Sequence, residues 1–275
     1  MALIITAKAA EKIANAKEGE LIISLDLGRT SAKIVVAEGF ALIEGQKVPL
    51  PEFKSLKDKF YYAVEDNSIK KVAFFAEDTN LYYKLLPAEE WPTFTISSTP
   101  MHRHVRITPK HDTELKINEI KPVKGNVLDT CTGLGYTAIM ASANAEKVYT
   151  FEKDKNVMFI AKYNPYSKEL FENKKIELKH ESVFEGIKNF KNEFFDRIIH
   201  DPPTFSRSPE LYSDEFHKEM FRVLKKGGII YHYCPLPGKM SGRQFQHTII
   251  RKLKEAGFTK VEYNEKSSGI RAVKH

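Results

Sequence analysis

The spacing of hydrophobic positions changes near residue 100 of this 275-residue chain. Before that point, a helical pattern at 7–17 is followed by short apolar runs between glycine turns, which predicts a β-meander. After it, strand-like and helical patterns alternate, which predicts a doubly wound, mostly parallel α/β sheet of seven strands. The predicted strands are 126–129, 147–152, 175–179, 195–200, 228–234, 259–264 and 269–274, and the predicted helices are 112–120, 135–144, 154–163, 184–190, 212–224 and 243–256.

The change in pattern predicts two domains, a β-rich one at 1–100 and a Rossmann-like α/β one at 101–275. The number of Lys and Arg residues minus the number of Asp and Glu residues is −2 in the first domain and +9 in the second. A positive field favours phosphate-rich partners, although a lysine-rich solvated surface is the ordinary alternative. Cys131 and Cys234 lack metal-site spacing and no apolar run approaches a membrane span, so we expect a cytoplasmic protein without membrane or metal.

A ligand-binding turn is predicted at 126–139, where an apolar strand runs through two glycines into an apolar helix. Gly133 and Gly135 let the backbone approach a ligand without interference from Cβ atoms. Glu152 closes the next strand, where a carboxylate can accept hydrogen bonds from both hydroxyls of a ribose. The sequence therefore predicts a nucleoside-binding site at this turn.

A proline corner follows the strand at 195–200, in the sequence Asp201-Pro202-Pro203. The two prolines fix φ near −65° and remove two amide donors, so the chain leaves the sheet as a stiff corner with free carbonyls. Dehydrogenases that bind a nucleotide at such a turn have no use for this corner. The corner therefore favours a different class of cofactor.

Together, these features resemble the class I Rossmann-like S-adenosylmethionine-dependent methyltransferases, and the resemblance covers about residue 108 to the C-terminus. Cys131 takes the place of the first family glycine, and Thr204 takes the usual aromatic place in the corner, with Phe205 next. The resemblance implies S-adenosylmethionine as cofactor and an amino nitrogen received at the corner. It implies catalytic roles for Asp201, Pro202, Pro203 and Phe205, and cofactor binding by Asp129, Cys131, Gly133, Gly135, Tyr136, Glu152, Lys153, Glu181, Ser182 and Asp201.

The Asp-Pro-Pro-Thr-Phe corner also resembles that of 23S ribosomal RNA methyltransferases, which modify guanine N7 or cytosine C5, and an uncharacterised archaeal methyltransferase group. It implies methylation of a base nitrogen in structured RNA, tRNA or rRNA, with the N-terminal domain helping to choose the site. Phe205 and Tyr136 would stack on an extruded base. A small-molecule amine or a protein side chain remains an alternative acceptor, and a non-catalytic RNA-binding protein is a further alternative.

Two other groups of residues carry open predictions. Methylation of cytosine C5 would need a nucleophilic thiol, and Cys234 is the candidate, but we predict a nitrogen acceptor and a structural cysteine. His102, His104 and His111 are predicted to line the substrate cleft or contact phosphate, or to lie in a solvated linker. The sequence leaves the oligomeric state open.

Overall fold

The computed structural model describes residues 2–235 and 240–275, with only the backbone described for 240–243. The described helices are α1 (Ala7–Ala14), α2 (Pro109–Glu119), α3 (Tyr136–Ser142), α4 (Lys155–Lys162), α5 (Lys168–Glu172), α6 (Val183–Gly186), α7 (Asp214–Val223) and α8 (Met240–Ala256). The described strands are β1 (Leu3–Thr6), β2 (Gly19–Ile23), β3 (Ala32–Ala37), β4 (Phe40–Ile43), β5 (Gln46–Pro49), β6 (Tyr61–Glu65), β7 (Ser68–Lys71), β8 (Ala73–Ala76), β9 (Leu81–Leu86), β10 (Thr93–Ile96), β11 (Thr99–Pro100), β12 (Asn126–Asp129), β13 (Lys147–Phe151), β14 (Ile176–Lys179), β15 (Phe195–His200), β16 (Leu224–Tyr233), β17 (Thr259–Asn264) and β18 (Gly269–Val273).

The chain forms two compact units. The first combines Met1–Pro109 with Asn156–Lys168, and the second combines Lys110–Lys155 with Glu169–His275. The predicted helix at 154–163 is present as α4, but most of it belongs to the first unit rather than to the α/β unit.

The first unit is β-rich, as the glycine spacing predicts. Its strands form antiparallel sheets in the orders β1-β6-β7, β2-β3-β4-β5 and β11-β10-β9-β8. Thr6 caps the start of helix α1, because its hydroxyl accepts a hydrogen bond from the Ala9 N–H at 3.1 Å, and the helix buries Ala10 and Ile13. These side chains join a core that includes Ile34 and Phe53.

The inserted segment Asn156–Lys168 packs on the first unit through polar and aromatic contacts. The Asn156 amide donates to Asp78 at 3.3 Å, and the Tyr163 hydroxyl donates to Glu65 at 3.2 Å. The Tyr166 hydroxyl donates to the Leu27 carbonyl at 3.2 Å. The first unit is therefore completed by a segment that lies far along the chain.

The second unit contains the predicted seven-stranded sheet, in the order β14-β13-β12-β15-β16-β18-β17. Strand β18 runs antiparallel to both of its neighbours, and the other pairings are parallel. Its core includes Leu128, Phe195, Ile198, Phe216 and Ile230. The central strands β12 and β15 are mostly buried, as expected where helices cover both faces of a parallel sheet.

Candidate functional site

Three carboxylates gather at the carboxyl edge of the central strands. Asp129 ends β12, Glu152 follows β13 and Asp201 follows β15, and these strands are parallel neighbours. Burial and then the charges of Glu152, Asp129 and Asp201 raise the pKa of the nearby Cys131 thiol well above its ordinary value. This edge is the topological switch point at which open α/β sheets bind ligands.

Asp129 organises the turn from within the protein. Its carboxylate is fully buried and accepts hydrogen bonds from the Thr137 hydroxyl at 3.0 Å and the Thr150 hydroxyl at 2.6 Å. Burial raises its pKa to about 7, although both threonines oppose the shift. Of the roles that the family resemblance implies, this geometry fits orientation of the turn rather than direct contact with a ligand.

Gly135 starts α3 in a conformation that favours glycine. Its φ is +79°, and a Cβ atom there would lie 2.8 Å from the Leu170 Cδ2 atom. A side chain would therefore suffer both an unfavourable backbone conformation and a clash. The turn before it is held by the Gly135 N–H, which donates to the Thr132 carbonyl at 2.7 Å.

Glu152 presents two oxygens to the turn. Its Oε2 accepts from the Gly133 N–H at 3.1 Å, and its Oε1 accepts from the Asp154 N–H at 3.0 Å. Each oxygen keeps a second lone pair, so the carboxylate can accept two further hydrogen bonds from a vicinal diol. Burial raises the pKa of Glu152 to about 7, although both backbone donors oppose the shift. These features fit the ribose of an adenosyl group.

Lys116 is a site residue that the sequence reasoning missed. Its ammonium lies 2.6 Å from Asp201 Oδ2 and 2.9 Å from Asp112 Oδ2, and its side chain is only 4% exposed. Burial lowers its pKa, but the Asp201 and Asp112 carboxylates outweigh burial and raise the pKa above its ordinary value. The ammonium also lies 5.3 Å from the centroid of the Tyr233 ring. A buried cation therefore fixes the corner carboxylate.

The proline corner is braced by the short 3₁₀ helix Pro209–Tyr212. The Tyr212 hydroxyl donates to the Pro203 carbonyl at 2.7 Å, while Pro202 is buried. The Phe205 ring lies 5.7 Å from the Tyr212 ring, yet Phe205 is 56% exposed. The corner is therefore rigid near Asp201 and presents an open aromatic face two residues beyond the prolines.

The remaining predicted cofactor residues differ in their surroundings. Tyr136 is only 2% exposed because it begins the buried face of α3, so its predicted stacking on a base is wrong. Lys153 donates to Glu210 at 3.0 Å and to Ser208 at 3.3 Å. Glu181 is exposed, and the partly buried Ser182 precedes α6.

Cys234 is fully buried, and burial raises its pKa to about 12. A nucleophilic thiol needs access and a low pKa, so the environment of Cys234 suits a structural residue. The three histidines have separate partners: His102 bonds Thr93, His104 bonds the His102 carbonyl and His111 bonds Glu114. Across residues 2–235 and 240–275, no three His, Cys, Asp or Glu side chains are grouped so that they could hold a metal ion. No helix in the same ranges is long and apolar enough to cross a membrane.

The seven-stranded α/β fold is similar to that of spermidine synthases. Residues 127–263 match the model of the spermine/spermidine synthase domain. A spermidine synthase bound to the transition-state analogue AdoDATO is 18% identical with a TM-score of 0.61, over 74% of this chain and 73% of that one. The Thermotoga maritima spermidine synthase is 17% identical with a TM-score of 0.55, over 78% of each chain.

A curated relative matches almost the whole chain. It is the "Uncharacterized protein MJ1233" of Methanocaldococcus jannaschii, which is 42% identical over 283 aligned positions that cover 98% of this chain and 95% of the relative. The chain belongs to the same family as this protein. These comparisons lend no support to the resemblance of the corner to 23S ribosomal RNA methyltransferases.

Proposed function

We propose that this protein transfers an alkyl group from a sulfonium donor to the nitrogen of a small cationic amine. The carrying observation is that Asp112 and Asp201 share the buried Lys116 ammonium, at a sheet edge that also holds the carboxyl groups of Asp129 and Glu152. The excess of carboxylates favours cationic ligands over anionic ones. Both a sulfonium donor and a protonated aliphatic amine carry positive charge.

The donor that we propose first is S-adenosylmethionine, which supplies an activated methyl group when bound. Glu152 would accept hydrogen bonds from the ribose hydroxyls of this donor, and the backbone of the glycine turn would pack against the donor. Its decarboxylated form, which supplies an aminopropyl group, is the second candidate. The match to the spermine/spermidine synthase domain supports it, and so does the carboxylate excess, because this donor lacks a negative charge.

Asp201 has the role of orienting the acceptor. The amine nitrogen forms a bond to the donor carbon as the carbon–sulfur bond breaks, and the electron pair of that bond stays on sulfur. The Asp201 carboxylate accepts a hydrogen bond from the amine, aims its lone pair and receives its proton. Lys116 holds this carboxylate in one orientation, and the rigid prolines hold the backbone beside it.

A base nitrogen of tRNA or rRNA is a separate candidate acceptor. The balance of +9 in residues 101–275 supports it, and so does the exposed Phe205 ring, which can stack on a base. The carboxylates at the sheet edge count against a polyanion there, so we rank it second. In either case, a role of the N-terminal β-rich unit in substrate choice is part of the proposal.

The experiment is a matrix of two labelled donors and three acceptor pools. S-Adenosylmethionine and its decarboxylated form are each incubated with aliphatic diamines and spermidine, with total RNA, and with unfolded protein. We expect label in the amine pool, with little dependence on salt. Label in RNA that disappears between roughly 50 and 200 mM salt would select a base nitrogen of RNA as the acceptor. Absence of label in every pool, with no calorimetric binding of S-adenosylhomocysteine, would reject the transferase proposal.

A further inference from the structure

His200 lies directly before Asp201 and is held at both ends of its imidazole ring. The ring is fully buried at the end of β15. Its Nδ1 lies 2.8 Å from the Thr130 hydroxyl, and its Nε2 lies 3.1 Å from the Leu211 carbonyl oxygen. The mechanism described above makes no use of this residue.

The two partners fix one tautomer of the ring. The Leu211 carbonyl can only accept, so the Nε2–H of His200 must donate to it. The Nδ1 of the neutral ring is then an acceptor, and the Thr130 hydroxyl donates to it. That hydroxyl also lies 3.7 Å from the Cys131 sulfur, but the contact with His200 is much shorter. Burial, followed by the nearby His232 and His217, holds the pKa of His200 well below its ordinary value, which agrees with a neutral ring.

The two ends of the ring contact segments that border the candidate site. Thr130 lies between Asp129 and Cys131 in the glycine turn. Leu211 belongs to the 3₁₀ helix whose next residue, Tyr212, donates to the Pro203 carbonyl. The glycine turn, the imidazole ring, this short helix and the proline corner therefore form one continuous hydrogen-bonded path through the protein interior.

We infer that His200 is a positioning residue that sets the distance between the donor turn and the acceptor corner. The inference rests on the proposed function, because the two segments would hold the two reacting molecules. An imidazole is rigid, and its two nitrogens point in different directions, so it transmits the position of one segment to the other. Displacement of reacting atoms by about 1 Å can lower a rate about 100-fold without weakening the binding of either molecule.

The test uses two substitutions that each preserve one end of the ring. His200→Gln keeps an N–H near the position of Nε2 and loses the contact with Thr130. His200→Asn keeps an acceptor near the position of Nδ1 and loses the contact with Leu211. We expect each to lower kcat about 10- to 100-fold, while the affinity for S-adenosylhomocysteine and the KM for the acceptor change less than about threefold.

Thr130→Val removes the same contact as His200→Gln from the other side. We expect its kcat to fall equally, and we expect no further fall in the double variant Thr130→Val/His200→Gln, because both changes break one hydrogen bond. His217→Gln is the matched control. It alters another buried histidine of this layer, which bonds the Ser213 carbonyl at 2.7 Å and lies outside the path, so kcat should stay near the wild-type value.

The outcomes separate the inference from the proposed function. A wild-type protein that transfers no group from either donor would reject the proposed function. An active wild type with unchanged kcat in Thr130→Val, or with equal losses in His217→Gln, would reject the role of His200. Nitrogen NMR of labelled histidine provides a readout that needs no activity: a proton on Nδ1 rather than Nε2 of His200 would contradict the path.

Discussion

Lys116→Met should destabilise the protein far more than a surface substitution of the same kind. The ammonium holds Asp112, whose side chain is 1% exposed, and Asp201, whose side chain is 19% exposed. Removing one partner of a buried ion pair costs about 3–5 kcal/mol, because the other charge stays buried without compensation. Two carboxylates depend on Lys116, so we expect a loss in the free energy of unfolding at the upper end of this range.

Urea unfolding at pH 7.5 measures this loss, and Lys188→Met is its matched control. Lys188 also contacts two carboxylates, Glu185 at 3.2 Å and Glu215 at 3.4 Å, but all three side chains are at least 40% exposed. Exposed ion pairs contribute little to stability, so Lys188→Met should change the free energy of unfolding little. Adding Asp112→Asn to Lys116→Met should recover part of the loss, because one buried charge disappears. Equal stability of Lys116→Met and Lys188→Met would refute the reasoning.

Three further predictions concern ionisation and chemistry. The affinity for S-adenosylhomocysteine should fall between pH 8 and pH 6, because Glu152, with a pKa of about 7, takes up a proton in this range. Glu152→Gln should bind this ligand at least about 1 kcal/mol more weakly at pH 8. Calorimetry that finds the same pH dependence in this variant would exclude Glu152 as the cause. Asp201→Asn should lose most turnover in the transfer assay while it keeps donor affinity, whereas Cys234→Ala should stay substantially active; a folded, donor-bound but inactive Cys234→Ala would contradict the nitrogen chemistry. Burial lowers the pKa of His232 to about 3, so below pH 6.5 the unfolded protein takes up a proton at this histidine before the folded protein does. The free energy of unfolding should therefore fall as the pH falls, by ~2 kcal/mol at pH 5. Urea unfolding of His232→Phe should show a correspondingly weaker acid destabilisation, and an identical pH profile would disprove this.

The buried carboxyl groups of Asp129 and Glu152 change stability with pH in the direction opposite to His232. The pKa values of Asp129 and Glu152 are raised to about 7, so they favour the folded state at low pH and lose this contribution as the pH rises from about 4 to about 7. The comparison of His232→Phe with the wild type removes this shared contribution, because both proteins retain the two carboxylates. The difference between the two profiles therefore isolates the contribution of His232, together with its effect on the pKa of His200.

The sequence predicted the α/β sheet because each central strand is a short apolar run between strong helical patterns. The strand at 126–129 and the one at 195–200 were located to the residue. Strands β1, β7, β10 and β11 had no counterpart among the predicted strands, since runs of two to four residues carry little periodicity and depend on their pairing partners.

The candidate site was predictable only where its residues follow strand ends. Glu152 and Asp201 do so, because parallel strands bring their carboxyl ends together. Lys116 does not: it lies in a mostly polar helix, 85 positions before Asp201, and its burial follows from tertiary packing. Tyr136 was misplaced because the sequence cannot tell which face of the first helical turn meets the core.

The segment Asn156–Lys168 determines how the protein can be dissected. The chain leaves the α/β unit after Lys155, three residues beyond Glu152, and returns to it at Glu169. A cut at 109 would leave an N-terminal fragment without Tyr163 and Tyr166, and a C-terminal fragment whose Phe159 had lost the Phe74 ring, which lies 5.2 Å away. We therefore expect neither fragment to fold by itself, and an exchange of the N-terminal region with that of a relative should include residues 156–168.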